Sequence, residues 1–290
     1  MPSTTEVITM NKIDKRYCQL INDIYLHGDT ITGRNGTTKR LFAPQPICFQ
    51  TTPLITVRKT AWKKAIREME WFLSGDATCP AELLDWWDSQ LSPDDQYIEG
   101  YSHQLRSFNG VFDQIANLID GIKTHPYSRR HVITTWNPEF MGEICDINEN
   151  PNTPTPCHTS FAQFSVSSTG LLSMLSVQRS ADMLLGVPHN WIQSWAFLLW
   201  LCAQTDYAPG DLTWVLGDAH IYCEPSHLEV VNQIRYWLDN ATPGPLTPPR
   251  LTYNGKPGDD FKAADFEMVG KIPEPTITTR PALVFKSVQQ

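Results

Sequence analysis

Two stretches decide how this chain is read: TPTPCHTSFAQF, residues 153–164, and VQRSADMLLGVPHN, residues 177–190. In the first, Cys157 and His158 stand side by side behind Pro156, whose ring restricts the backbone. Thr159 and Ser160 mark the edge of an element. A catalytic thiol needs thiolate character, which neighbouring cations supply by lowering its pKa. The competing reading is a small, buried, inert cysteine. In the second stretch Gln178, Arg179, Ser180 and Asp182 run close together, and Asn190 follows. The Arg179 guanidinium is a rigid fork suited to phosphate, and Ser180 adds a hydroxyl. A strand end with a surface salt bridge between Arg179 and Asp182 would give the same letters.

The same ambiguity recurs outward from these blocks. Arg129 and Arg130 precede a β-rich run and read either as solvated charge or as an anion grip. Arg34 lies in a Gly/Thr stretch. His220 and Tyr222, in GDAHIY, suit sugar hydroxyls or an ordinary strand end. Glu68 sits in an amphipathic helix just before Trp71, Phe72 and Leu73. On a solvated face it would be unremarkable in its chemistry. Facing a cleft, its carboxyl would have a raised pKa and could move protons.

Bulk properties narrow the class. The 290 residues are 41% hydrophobic and 19% charged, enough for a sizeable core. A net charge of −8 disfavours a general nucleic-acid groove, so an anionic partner must meet a local arginine cluster. The N-terminus has no apolar signal-peptide core, and the longest apolar run, residues 195–203, is too short to span a bilayer. The seven cysteines form no C-x-x-C pair, so reduced thiols in a cytoplasmic setting and no metal are expected.

Periodicity predicts helices over residues 12–27, 57–73, 108–122, 186–205 and 224–239, with Gly75 ending the second. Residues 28–38 read as a turn or loop, and residues 41–55 as short strands. Residues 131–136, 159–166, 171–177 and 211–216 read as β. Residues 241–250 form a proline-rich loop, and short strands and loop follow from Phe261. No linker or repeat divides the chain. The mixed order implies an α+β fold in a single domain over residues 1–290.

In order along the chain stand GRNGTT, AIREMEWFLSGD, EGYSHQLRSF, PYSRRHVITTWNP, TPCHTSFAQF, VQRSADMLLGVPHN and LGDAHIYCEPSHLE. Through these seven blocks the chain resembles the thymidylate synthase superfamily over nearly its whole length. The resemblance implies a mixed β-sheet flanked by helices, and a homodimer formed through the sheet. It implies Cys157 as nucleophile, Arg34, Arg179 and Ser180 as the grip on the nucleotide phosphate, and Gln178 and Asp182 as further substrate-binding residues. Arg129 and Arg130 would reach into the neighbouring subunit's phosphate site. Asn190 would read the pyrimidine edge, and His220 and Tyr222 the sugar 3′-hydroxyl. Glu68, helped by His158, would manage protons near O4, and Tyr101 would serve removal of the C5 proton. Trp87, Asp182, Leu185, Gly186 and His189 would pack on the folate. The co-substrate implied is 5,10-methylenetetrahydrofolate, and the implied substrate is dUMP. In the deoxycytidylate branch an aspartate tends to stand where this chain has Asn190, so uracil is favoured over the dCMP hydroxymethylase alternative.

The chain departs from the synthase pattern near the folate. His189 replaces a phenylalanine, Gln90 stands at a second tryptophan position, and EMVGKIPEPTI, residues 267–277, replaces a Tyr-Asp-Pro-His-Pro type of segment. The tail runs on through residues 286–290. A wetter lid favours water over hydride at the exocyclic methylene. The expectation is a dUMP hydroxymethylase serving hypermodified DNA of a bacteriophage, in its host's cytoplasm. Ordinary thymidylate synthesis and an inactive nucleotide- or RNA-binding homologue are the alternatives.

Overall fold

Residues 9–33, 35–87, 100–138, 156–243 and 248–283 are described by the structure, a computed structural model. In chain order the N-terminal part runs β1 (Thr9–Met10), α1 (Lys12–His27), β2 (Asp29–Gly33), β3 (Gly36–Phe42), β4 (Ile47–Phe49) and α2 (Trp62–Ser74). There follow α3 (Leu84–Trp87), α4 (Tyr101–Arg106), α5 (Gln114–Thr124), β5 (Val132–Ile133) and β6 (Phe161–Val166). The rest is β7 (Leu171–Asp182), α6 (Val187–Thr205), β8 (Ala208–Tyr222), α7 (Pro225–Asn240), β9 (Thr242–Pro243), β10 (Arg250–Tyr253) and β11 (Phe266–Val269).

The frame of the molecule is β7–α6–β8. β7 and β8 pair in parallel, which requires a crossover, and α6 supplies it. Around them the sheet runs β2-β3-β8-β7-β6-β5, antiparallel except at β7–β8, with β4 also paired to β8. This is the mixed sheet flanked by helices expected of an α+β chain. Along β7 the even positions Leu172, Met174, Ser176 and Gln178 are buried under the helices. Along β8, Leu212, Trp214 and Leu216 do the same. α6 is buried on nearly every side, so its hydrophobicity is continuous and not striped. α2 packs across it. The opposite face of the sheet is only half covered: Phe161 is 39% and Leu171 41% exposed.

Local chemistry sets the ends. α1 starts where the Asn11 side chain accepts from the Asp14 N–H. α2 ends as expected at Gly75, which adopts a left-handed φ of 83°.

Three segments differ from expectation. Residues 28–38 are not a loop but most of the β2–β3 hairpin; their threonines are β-branched, and Thr32 meets Thr37 across the strands at 3.0 Å. The helix predicted from residue 57 begins at Trp62, because Val57 and Arg58 bridge to Ile277 instead. The one predicted from residue 108 begins after Asp113, whose side chain accepts from the Ala116 N–H. Asn109 and Gly110 take positive φ just before it. Arg34, Gln90 and residues 286–290 lie outside the described residues.

Candidate active site

Cys157 lies in the segment leading into β6, beside the C-terminal end of β7, where Ser180 N–H points to the Cys157 carbonyl at 3.4 Å. Thr159 is held at φ 51°, an unfavourable conformation for a β-branched residue that costs roughly 1–3 kcal/mol. Thr135 secures it, its hydroxyl donating to the Thr159 carbonyl at 3.0 Å. The kink turns Cys157 and His158 toward α4.

There Tyr101, the first residue of α4, meets them. Its hydroxyl accepts from the Cys157 N–H at 2.7 Å and the His158 N–H at 3.2 Å. Both lone pairs are thereby used. Its one proton is left for the Cys157 Sγ, 3.3 Å away. Burial lifts the Tyr101 pKa well above its usual range, so that proton stays on the oxygen. Burial also raises the Cys157 thiol, against the opposing pull of the Tyr101 hydrogen bond and the Arg179 charge. Those two groups pull toward the thiolate without outweighing burial.

Arg179 is stationed by three neighbours. Its Nε donates to the Pro156 carbonyl at 3.0 Å, and its guanidinium lies 5.2 Å from the Trp136 ring centroid. Gly217 on β8 makes room: a Cβ there would lie 2.7 Å from the Arg179 carbonyl oxygen. Asp182 caps the turn into α6, its Oδ1 accepting from the Leu184 and Leu185 N–H groups at 2.9 and 3.0 Å.

Glu68 faces inward, not to solvent. It is 7% exposed, because α2 is enclosed by α6 on one side and α4 on another. Trp87 Nε1 donates to its Oε1 at 2.5 Å, and Gln193 Nε2 donates to its Oε2. Burial outweighs both bonds and raises its pKa from 4.5 to about 7. That places a proton-transfer group at neutral pH. His158 is different. Desolvation lowers it to about 3, so it acts as a neutral ring, stacked 4.6 Å from Tyr101 and hydrogen-bonded to Thr159.

Asn190, in the first turn of α6, is 7% exposed; its Oδ1 accepts from Gln178 at 3.0 Å and its Nδ2 donates to Gln193 at 3.2 Å. Gln178 is itself occupied at both ends, by Trp214 at 3.0 Å and by Asn190 and the Ser180 carbonyl. The structure therefore sets it behind Asn190. At the end of β8, the His220 Nδ1 lies 3.1 Å from the Asp218 Oδ1. Burial works against a charge on His220, but Asp218 and Asp182 overcome it and raise its pKa. The Tyr222 ring lies edge-on to His220 at 5.5 Å. Arg129 and Arg130 are exposed on the turn before β5.

The region assigned to folate is built around the start of α6. His189 Nε2 accepts from the Ala61 N–H at 3.3 Å, so Nδ1 carries the proton and donates to the Leu185 carbonyl at 2.8 Å. Desolvation lowers its pKa to about 4. The ring is thus neutral and pinned, and lies 4.8 Å from Trp86. Leu185 and Gly186 border it, half-buried. Trp87 lies deeper, spending its N–H on Glu68.

Sequence reading missed Gln193, Trp214, Trp136 and Trp86. Gln193 had a signal: a polar residue inside a mostly apolar helix, three positions after Asn190. Among the described residues no cluster of three His, Cys, Asp or Glu could hold a metal, and no helix is long and apolar enough to cross a membrane.

Comparison with known proteins matches this chain, over residues 15–283, to the family model described as thymidylate synthase. A thymidylate synthase of Rhodopseudomonas palustris (strain BisA53) is 30% identical over 307 residues, covering 92% of this chain and 98% of the relative.

Proposed function

The chain belongs to the thymidylate synthase family, and on that premise we propose that it transfers a one-carbon unit to C5 of dUMP, with Cys157 adding to C6. The observation that carries this is the Tyr101 hydroxyl, which takes two backbone N–H groups and turns its proton to the Cys157 sulfur. Uracil C5 is a poor nucleophile. Thiolate addition at C6 converts the ring to an enolate, and C5 becomes carbanion-like. Charge developing on O4 needs preorganised partners, which Asn190 and Glu68 supply. Arg179 and Ser180, with Arg34, hold the phosphate. His220 and Tyr222 hold the sugar. Methylenetetrahydrofolate supplies the carbon, and Trp87, Asp182, Leu185, Gly186 and His189 are the residues that would hold it. Glu68, poised near neutrality, moves the protons.

The whole chain acts as one catalytic domain. The half-covered sheet face bearing Phe161 and Leu171 supports a homodimer, with the exposed Arg129 and Arg130 donated across it.

For the product we favour 5-hydroxymethyl-dUMP and tetrahydrofolate. This rests on residues 267–277: Glu267–Val269 pair with β10 and the buried Ile277 N–H meets the Val57 carbonyl, while between these anchors Lys271, Ile272 and Glu274 are exposed. A pinned, neutral His189 favours the second reading, dTMP and dihydrofolate, because it keeps the shelf rigid. Mass analysis of the nucleotide formed from dUMP and methylenetetrahydrofolate decides. A hydroxymethyl product is expected; dTMP with dihydrofolate alone rejects it. Absence of tritium release from C5-labelled dUMP rejects the enzyme reading altogether and leaves a nucleotide- or RNA-binding homologue.

A further inference from the structure

Three amide side chains run between two indoles. Trp214 Nε1 donates to Gln178 Oε1 at 3.0 Å, Gln178 Nε2 to Asn190 Oδ1 at 3.0 Å, and Asn190 Nδ2 to Gln193 Oε1 at 3.2 Å. Gln193 Nε2 then donates to Glu68 Oε2, and Trp87 Nε1 to Glu68 Oε1 at 2.5 Å. Trp214, Gln178 and Gln193 are at most 1% exposed.

An amide turned over keeps its shape, so its orientation has to come from its partners. Here the partners leave no choice. An indole N–H gives a hydrogen and accepts none. Trp214 therefore makes Gln178 present its oxygen. The Gln178 nitrogen then faces Asn190, which must present its oxygen, and the same step repeats at Gln193. Every bond points toward Glu68, which accepts at both oxygens.

We propose that Gln193 is a positioning residue: it completes the chain from Trp214 to Glu68 that locks the Asn190 amide, and so sets the choice of uracil over cytosine. This rests on the reading of dUMP as substrate. With one lone pair and one N–H committed, Asn190 keeps an acceptor and a donor side by side on its free edge. That edge pairs with the N3–H and O4 of uracil when O4 lies on the Nδ2 side. Cytosine in the same seat presents an acceptor to the acceptor and a donor to the donor. A free asparagine would turn over to suit it. The locked one cannot without setting Nδ2 against Gln178 Nε2 and Oδ1 against Gln193 Oε1. Turning the whole chain instead leaves the Trp214 N–H facing a donor and Glu68 facing an oxygen. Either way buried groups are left unmatched, worth about 10- to 100-fold in affinity.

The test measures Kd for dUMP and for dCMP by calorimetry, since sugar and phosphate cancel in the ratio. Gln193→Met keeps length and volume and removes both hydrogen-bonding groups. The dCMP-to-dUMP Kd ratio should fall about 10- to 100-fold in this variant. Trp214→Phe removes the fixed end of the chain without touching Asn190, and should lower the ratio in the same direction by a smaller factor. Circular dichroism checks that each variant folds; if Gln193→Met does not, Trp214→Phe decides. A folded variant that weakens both nucleotides equally, with an unchanged ratio, overturns the proposal. Failure of the substrate reading looks different: the unaltered protein would neither bind dUMP nor release tritium from its C5.

Discussion

Two carboxyl groups are buried among the described residues, and they are treated differently. Asp14, on the first turn of α1, is 3% exposed. Its Oδ1 accepts from the Thr56 N–H at 2.8 Å, and its Oδ2 from Asn11 at 2.6 Å and the Thr56 hydroxyl at 2.5 Å. The donors come from both pieces of chain that it joins, and they close around it. Glu68 receives one donor on each oxygen, both from residues that belong to the cleft. Burial raises both groups. A crowded carboxylate acts as a clip between a helix and a loop. A sparsely bonded one, close enough to the Cys157 thiol to act on its charge, keeps capacity for another partner. Buried polar networks thus divide by whether their acceptors are full, and not by burial alone.

The largest test of that division lies beside Glu68. Cys157→Ala should reduce turnover by about 10⁴-fold or more while leaving the Tm and dUMP binding nearly unaltered. Full turnover in this variant would remove the covalent route. Next, Glu68→Gln should lower kcat by about 10²- to 10⁴-fold and erase a titration near pH 7 from the pH–rate profile. The sign for stability follows from the raised pKa. Below pH 4.5 the carboxyl is protonated whether folded or unfolded. As pH rises from 4.5 through about 7, stability on the order of 3 kcal/mol is lost, because the unfolded chain ionises in that range while the buried carboxyl holds its proton. Thermal melts of the wild type against Glu68→Gln, at pH 5 and pH 8, should show a gap that widens at the higher pH.

The smallest effect is expected at the closed knot. Asp14→Ala strands the Thr56 and Asn11 donors and should cost about 3 kcal/mol, a Tm fall of roughly 6–12 °C, with kcat unchanged at permissive temperature. A large kcat loss without a Tm change would erase the distinction between the two carboxyls.

Much of the scaffold was legible in the residues. α1 spans the predicted Lys12–His27, Gly75 ends α2, and residues 186–205 form the crossover helix, because apolar spacing and caps are local signals. The β2–β3 hairpin was not legible. Its glycines and threonines suit turn and strand alike, and only pairing with β8 decides between them. At the site, Cys157, Tyr101 and Arg179 are brought to one place, as are Glu68, Gln178 and Asn190. The Trp87 N–H is spent on Glu68, a bond that no spacing in the sequence announces. His158 lies as a neutral ring against Tyr101, because desolvation lowers its pKa, a state that no local pattern announces.

From its residues alone the chain declared its family and the order of its motifs, and offered Cys157 as the candidate nucleophile, since each block carries its own chemistry and local periodicity. Which way an amide points, which histidine stays neutral, and whether a carboxyl is crowded or spare were settled only by the tertiary fold. The reason is physical: a hydrogen bond takes its direction from both partners, and those of Glu68 stand 19 and 125 positions away along the chain.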